Sequence, residues 1–170
     1  MNEDEFWILI EKTKQMSDGS IEEQTQLLIQ ELEEYPDTDI FQFDQILIQK
    51  QDEAYIGTLW DVCDFITCSG GEQNFIDFRA WLISQGKAIY DHTISDPDSL
   101  YSVVTRENRE DILYEEFSYV SIKAYERKTG KILPSKGPFA GNPKGKQMGG
   151  QMIAERFPKL YSRLGDCPDL

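Results

Sequence analysis

The only histidine of this 170-residue chain, His92, follows Asp91 and lies close to Asp96 and Asp98. Imidazole among carboxylates holds its proton more tightly and suits acid or base work near neutral pH; the simpler reading is a surface histidine at a helix end. Asp61 and Asp64 stand at i and i+3 of one predicted helix, where they would share a divalent cation or form an ordinary solvated face. Cys63 and Cys68 lie in that same helix and Cys167 near the C-terminus. Three cysteines without framework spacing suit reduced thiols, more often core fillers than a redox pair. A lone histidine excludes H-E-x-x-H and other multi-histidine sites, and neither C-x-x-C nor G-x-S-x-G nor an EF-hand loop occurs. Gly145-Lys146-Gln147 departs from a phosphate-cradling loop, with Ala140 in the place of the first glycine and no Ser or Thr after the lysine. No cofactor and no metal is expected, and the balance falls against an enzyme.

Arg79 is more informative. With Phe75 at zero on a helical wheel of about 100° per residue, Phe78, Leu82 and Ile83 span an apolar arc and Arg79 falls inside it, near +40°. A guanidinium on a buried face must be compensated. Projected as one long helix over Glu107–Thr129, the later chain aligns Leu113, Phe117, Val120 and Ala124 and places Glu116 between Val120 and Ile112. An Arg79–Glu116 ion pair follows as the expectation, with Asp44 on the apolar arc of an earlier helix as the rival partner. The alternative has Arg79 gripping an anionic ligand in a pocket lined by Trp60, Trp81, Tyr90 and His92 beside Asp64 or Asp77. Trp7, Trp60 and Trp81 would otherwise serve the core.

The elements that must position these residues are helical. Acids open a helix over Glu3–Met16 and Ser17-Asp18-Gly19 ends it; Ser20-Ile21-Glu22-Glu23 matches a capping box for a second helix, which stops at Tyr35-Pro36. Asp37, Thr38 or Asp39 caps a third that runs to about Ala54. A fourth covers about Tyr55–Cys68, stopped by Ser69-Gly70-Gly71, and a fifth Gln73–Gln85, stopped by Gly86. A short segment through Ile89 and Tyr90 precedes the turn Ser95-Asp96-Pro97-Asp98. The expected fold is all-α, a single-domain bundle or array of about six to seven helices over residues 1–130, with a Gly/Pro-rich loop over 131–152 and a kinked segment over 153–170 packing back.

Charge separates these regions. The chain carries 17 basic and 31 acidic side chains, a net −14. Residues 1–130 hold 28 acids against 10 bases, whereas 131–170 hold 7 bases against 3 acids. So acidic a body argues against nucleic acid and anionic membranes as partners and for electrostatic steering towards a basic protein. No run approaches a membrane span, and the acidic MNEDEFW start lacks the basic region of an export signal, which points to the cytoplasm. The expected role is an acidic protein-binding module of immunity or antitoxin type that neutralises a basic partner. A small-molecule-binding protein or enzyme around Arg79 and Trp60/Trp81 is the alternative.

The string Phe75-Ile76-Asp77-Phe78-Arg79-Ala80-Trp81-Leu82-Ile83-Ser84-Gln85-Gly86-Lys87, preceded by Leu59-Trp60 and Gly70-Gly71 and followed by Asp96-Pro97-Asp98-Ser99-Leu100, resembles the DUF4240 family. Phe6-Trp7 and Phe157-Pro158-Lys159-Leu160-Tyr161 extend the likeness. It implies a small, largely helical bacterial protein and brings no catalytic residue.

Overall fold

The computed structural model describes residues 1–135, 142–150 and 152–167, and these form a single helical domain without strands. Residues 136–141 and 151 of the expected loop, and 168–170 of the expected terminal segment, lie outside the described residues. The body consists of α1 (Glu3–Met16), α2 (Ile21–Glu33), α3 (Asp37–Glu53), α4 (Gly57–Thr67), α5 (Glu72–Ser84), α6 (Lys87–Ser95) and α7 (Val120–Thr129). Two 3-10 turns, Pro97–Ser102 and Glu115–Tyr119, interrupt it, and the short α8 (Ile153–Arg156) and α9 (Pro158–Leu164) return onto it. Among the described residues no helix is long and apolar enough to cross a membrane.

The start signals act in part as their residue types dictate. Asn2 and Glu5 make a complete capping box on α1, and Ser20 Oγ accepts from Glu23 N on α2. None of Asp37, Thr38 and Asp39 caps α3: the cap position is Pro36, Asp37 already belongs to the helix, and Asp39 pairs with the Met1 amine. The helix expected over Glu107–Thr129 is also corrected. Residues 106–112 run as turns, a 3-10 turn follows, and α7 begins only at Val120. Asn108 explains part of this: its side chain accepts from Thr105 N and donates to Val103 O, a local alternative to helical hydrogen bonds.

One contiguous core joins Phe6, Ile10, Leu28, Phe43, Leu59, Phe75, Phe78, Leu100, Phe117 and Ala124, and the returning segment adds Ile153, Phe157, Leu160 and Leu164. Two buried carboxylates hold that segment down. Asp61 accepts from Met148 N (3.0 Å) and Gly149 N (2.8 Å) and ion-pairs with Arg156 at 2.7 Å. Asp98 accepts from Lys159 N and Leu160 N, so it caps α9 from 61 residues away in sequence. The basic segment therefore folds onto the acidic body.

The Gly/Pro-rich stretch also meets the start of α4. Gly57 N donates to Lys144 O and Lys144 N to Tyr55 O, each at 2.8 Å. A Cβ on Gly57 would lie 2.8 Å from the backbone of Lys146 and Gln147, so only glycine admits this approach. Gly57→Ala is expected to lose about 1–3 kcal/mol in urea unfolding and to speed hydrogen exchange at the amides of Gly57 and Lys144.

Candidate functional site

The residues proposed around Arg79 do not assemble into a pocket. Arg79 is 1 % exposed, yet neither Glu116 nor Asp44 pairs with it. Its Nη1 donates to Gln51 O at 2.8 Å and its Nε to Phe75 O at 3.3 Å. The guanidinium carbon lies 4.5 Å from the centroid of the Tyr55 ring and 5.1 Å from that of Phe75. The compensation is the C-terminal end of α3, where unpaired carbonyls carry partial negative charge, together with two π faces. Burial still draws the guanidinium pKa below its ordinary value, against the fields of Tyr55 and Asp52.

Glu116 is exposed on the 3-10 turn, because the wheel that placed it inward assumed a helix the chain does not form. Asp44 is buried but accepts from Ser121 Oγ at 2.7 Å. Trp60 stacks on Phe75, and Tyr55, Phe75, Phe78 and Trp81 continue the aromatic chain through the core. Tyr90 is buried, with its hydroxyl donating to Lys50 O at 2.6 Å, and His92 is exposed on α6. The idea of a cation shared between Asp61 and Asp64 also fails, since Asp61 is buried in its ion pair with Arg156.

Asp64 opens instead onto a cleft of about 620 Å³ between α4 and the returning segment, lined also by Phe65, Glu155, Tyr161 and Asp166. Burial first, and the neighbouring Asp61 second, push its carboxyl up to about 6. Cys68 and Cys167 line the same cleft and form a disulfide. The expectation of reduced thiols is thereby overturned for this pair, which a separation of 99 residues hid from the sequence. It holds for Cys63, a buried free thiol that burial keeps protonated.

A second concavity, about 540 Å³, runs between the α1–α2 turn, Trp81 of α5 with Gln85 just after it, and residues 103–114. Glu22, Glu110 and Asp111 line it, and the chain leads from its Tyr114 directly to the exposed Glu115 and Glu116. Among the described residues none of these five acids, nor Asp77, joins an ion pair. Their field acts on nearby groups. The Asp77 carboxyl is raised by burial and then by Glu115 and Glu116, against the Gln73 hydrogen bond; the Tyr114 hydroxyl is raised by burial and then by Glu116 and Glu22, against a hydrogen bond with Thr25. The composition announced an acidic body, but this face could not be located before residues 103–116 were known to leave helical geometry.

Fold and surface together define an all-helical domain that carries a group of acids without an ion pair among the described residues. The family model described as a protein of unknown function, DUF4240, matches residues 1–127, and the chain belongs to that family. Neither a curated protein nor a solved structure matches.

Two outcomes follow from this geometry. Arg79→Met strips a buried carbonyl of its donor and should cost about 2–4 kcal/mol in chemical denaturation, whereas Glu116→Gln should stay within about 0.5 kcal/mol of the parent; equal losses would restore the ion pair. For Asp64, a carboxyl pKa raised on folding means that the native state binds its proton more readily. Its contribution is therefore favourable below the unfolded value and lost as pH rises through about 6. Asp64→Asn should gain stability relative to the parent at pH 7 and gain none at pH 4, measured by thermal unfolding at both pH values.

Proposed function

We propose that this protein is a cytoplasmic binding module that neutralises a basic protein partner, in the manner of an immunity protein or antitoxin, through the face formed by Glu22, Asp77, Glu110, Asp111, Glu115 and Glu116. The observation that carries the reading is that none of these six acids joins an ion pair among the described residues, and that Glu22, Glu110 and Asp111 line a concave surface. Three of the body's cations are engaged with carbonyls elsewhere: Arg106 donates to Leu164 O, Arg109 to Ile66 O and Lys128 to Glu33 O. A negative potential left uncancelled attracts a cationic surface, speeds encounter and repels nucleic acid and anionic lipid. Trp81, Tyr114 and Leu113 in the concavity add apolar contact area for a basic side chain's stem.

The test is association with a lysine- and arginine-rich peptide, followed by fluorescence anisotropy. Reversing Glu110, Asp111, Glu115 and Glu116 to lysine should weaken binding by about tenfold or more at low salt, and about 0.5 M salt should erase most of the difference. Reversing Lys144 and Lys146 to glutamate, on the returning segment, should leave the affinity unchanged within about twofold. Binding that ignores salt, or that falls equally in both variants, rejects this face.

A further inference from the structure

The Cys68–Cys167 bond has two unlike ends. Cys68 closes α4 in a left-handed conformation, and Arg109 Nη2 lies 2.8 Å from its Sγ. The same guanidinium donates to Ile66 O at 2.6 Å and Phe65 O at 3.3 Å, so it also masks the carbonyl end of the helix that would otherwise disfavour a negative sulfur. Among the described residues no cation contacts Cys167 Sγ, whose polar neighbour is Phe65 O at 3.6 Å. Its chain neighbour is the exposed Asp166, which accepts from Tyr161 Oη. Both cysteines are half-buried, so a small molecule reaches the bond without unfolding the domain. The cleft before it is bordered by Asp64, Glu155 and Asp166.

Thiol–disulfide exchange is fastest when the displaced sulfur is the better leaving group, and a sulfur stabilised as thiolate by a guanidinium is that group. We infer that this disulfide is a directional thiol-exchange site, at which a small cationic thiol attacks Cys167 Sγ and expels Cys68 as a thiolate held by Arg109. The incoming thiol loses its proton to solvent and forms a new S–S bond with Cys167. The Cys68–Cys167 bond breaks, and its electron pair remains on Cys68 Sγ. No net oxidation occurs, and attack by the Cys68 thiolate on the mixed disulfide reverses the step. The acids of the cleft concentrate a cationic thiol and repel an anionic one. The product carries the thiol's remainder in the cleft and releases Cys167 from its bond to Cys68, independently of whether the acidic face binds a basic protein.

The experiment uses the oxidised, full-length protein exposed to limiting cysteamine or 3-mercaptopropionate, quenched by alkylation and mapped by peptide mass. The expected result is the adduct on Cys167 and the alkyl group on Cys68, in about tenfold excess over the opposite arrangement. Compared at equal thiolate concentration, cysteamine should react about fivefold faster, with the gap closing in about 0.5 M salt. Arg109→Lys keeps a cation and should preserve the direction of attack, whereas Arg109→Gln should lose it. An even or reversed adduct distribution in the unmutated protein, equal rates for the two thiols, or a rate independent of thiol concentration would overturn the assignment; the last would show that exchange waits for unfolding.

Discussion

A helix that ends inside a protein leaves carbonyls that must be given donors, and this fold answers that requirement largely with cations. At the end of α3, Tyr90 Oη serves Lys50 O, Arg79 serves Gln51 O and Lys144 serves Asp52 O. Lys128 does the same after α2, Arg109 at α4, Lys14 after α5 and Arg106 at α9. Each donor lies outside the helix whose end it serves, so these contacts tie helix ends to neighbouring helices or turns as well as satisfying them. Arg79 is the innermost case. Its burial is tolerated because carbonyl dipoles and aromatic faces together supply what a single carboxylate otherwise would.

The same allocation shapes the surface. A lysine or arginine engaged with a carbonyl is poorly placed to neutralise a neighbouring acid, and in this chain acids outnumber bases by 14. That the acids at residues 110–116 join no ion pair among the described residues follows from both facts. Buried acids complement the pattern: Asp61 and Asp98 receive backbone amides of the returning segment, which is how a Gly/Pro-rich stretch with little helical content of its own is fastened to the body.

The elements read most readily in the sequence were those with local signals. The boundaries of α1, α2 and α5 follow from caps, glycine stops and apolar spacing that operate within a few residues, whereas α4 closes on a left-handed Cys68, ahead of the expected Ser69-Gly70-Gly71 stop. The break at Phe157-Pro158 between α8 and α9 likewise follows from a proline that cannot continue a helix. The stretch from Glu107 to Tyr119 departs from the helix expected there, because its apolar residues keep helical spacing while the hydrogen bonds of Asn108 favour turns. An error of that kind moves a side chain around the helix axis, and it carried Glu116 from surface to core. The family resemblance seen in the Phe75–Lys87 string was sound, but it rests on residues that build the core and it names no chemistry.

Composition and local pattern by themselves determined an all-α, acidic domain with a buried arginine on α5 and a basic segment after residue 130, since each of those properties depends on residue type and on neighbours within a helical turn or two. Tertiary structure alone decided what compensates Arg79, which acids are buried and which stay unpaired, and that Cys68 meets Cys167. Those outcomes depend on distances between groups that lie from 28 to 99 residues apart in the chain. No local interaction encodes such a distance; it is set by how all the helices pack together.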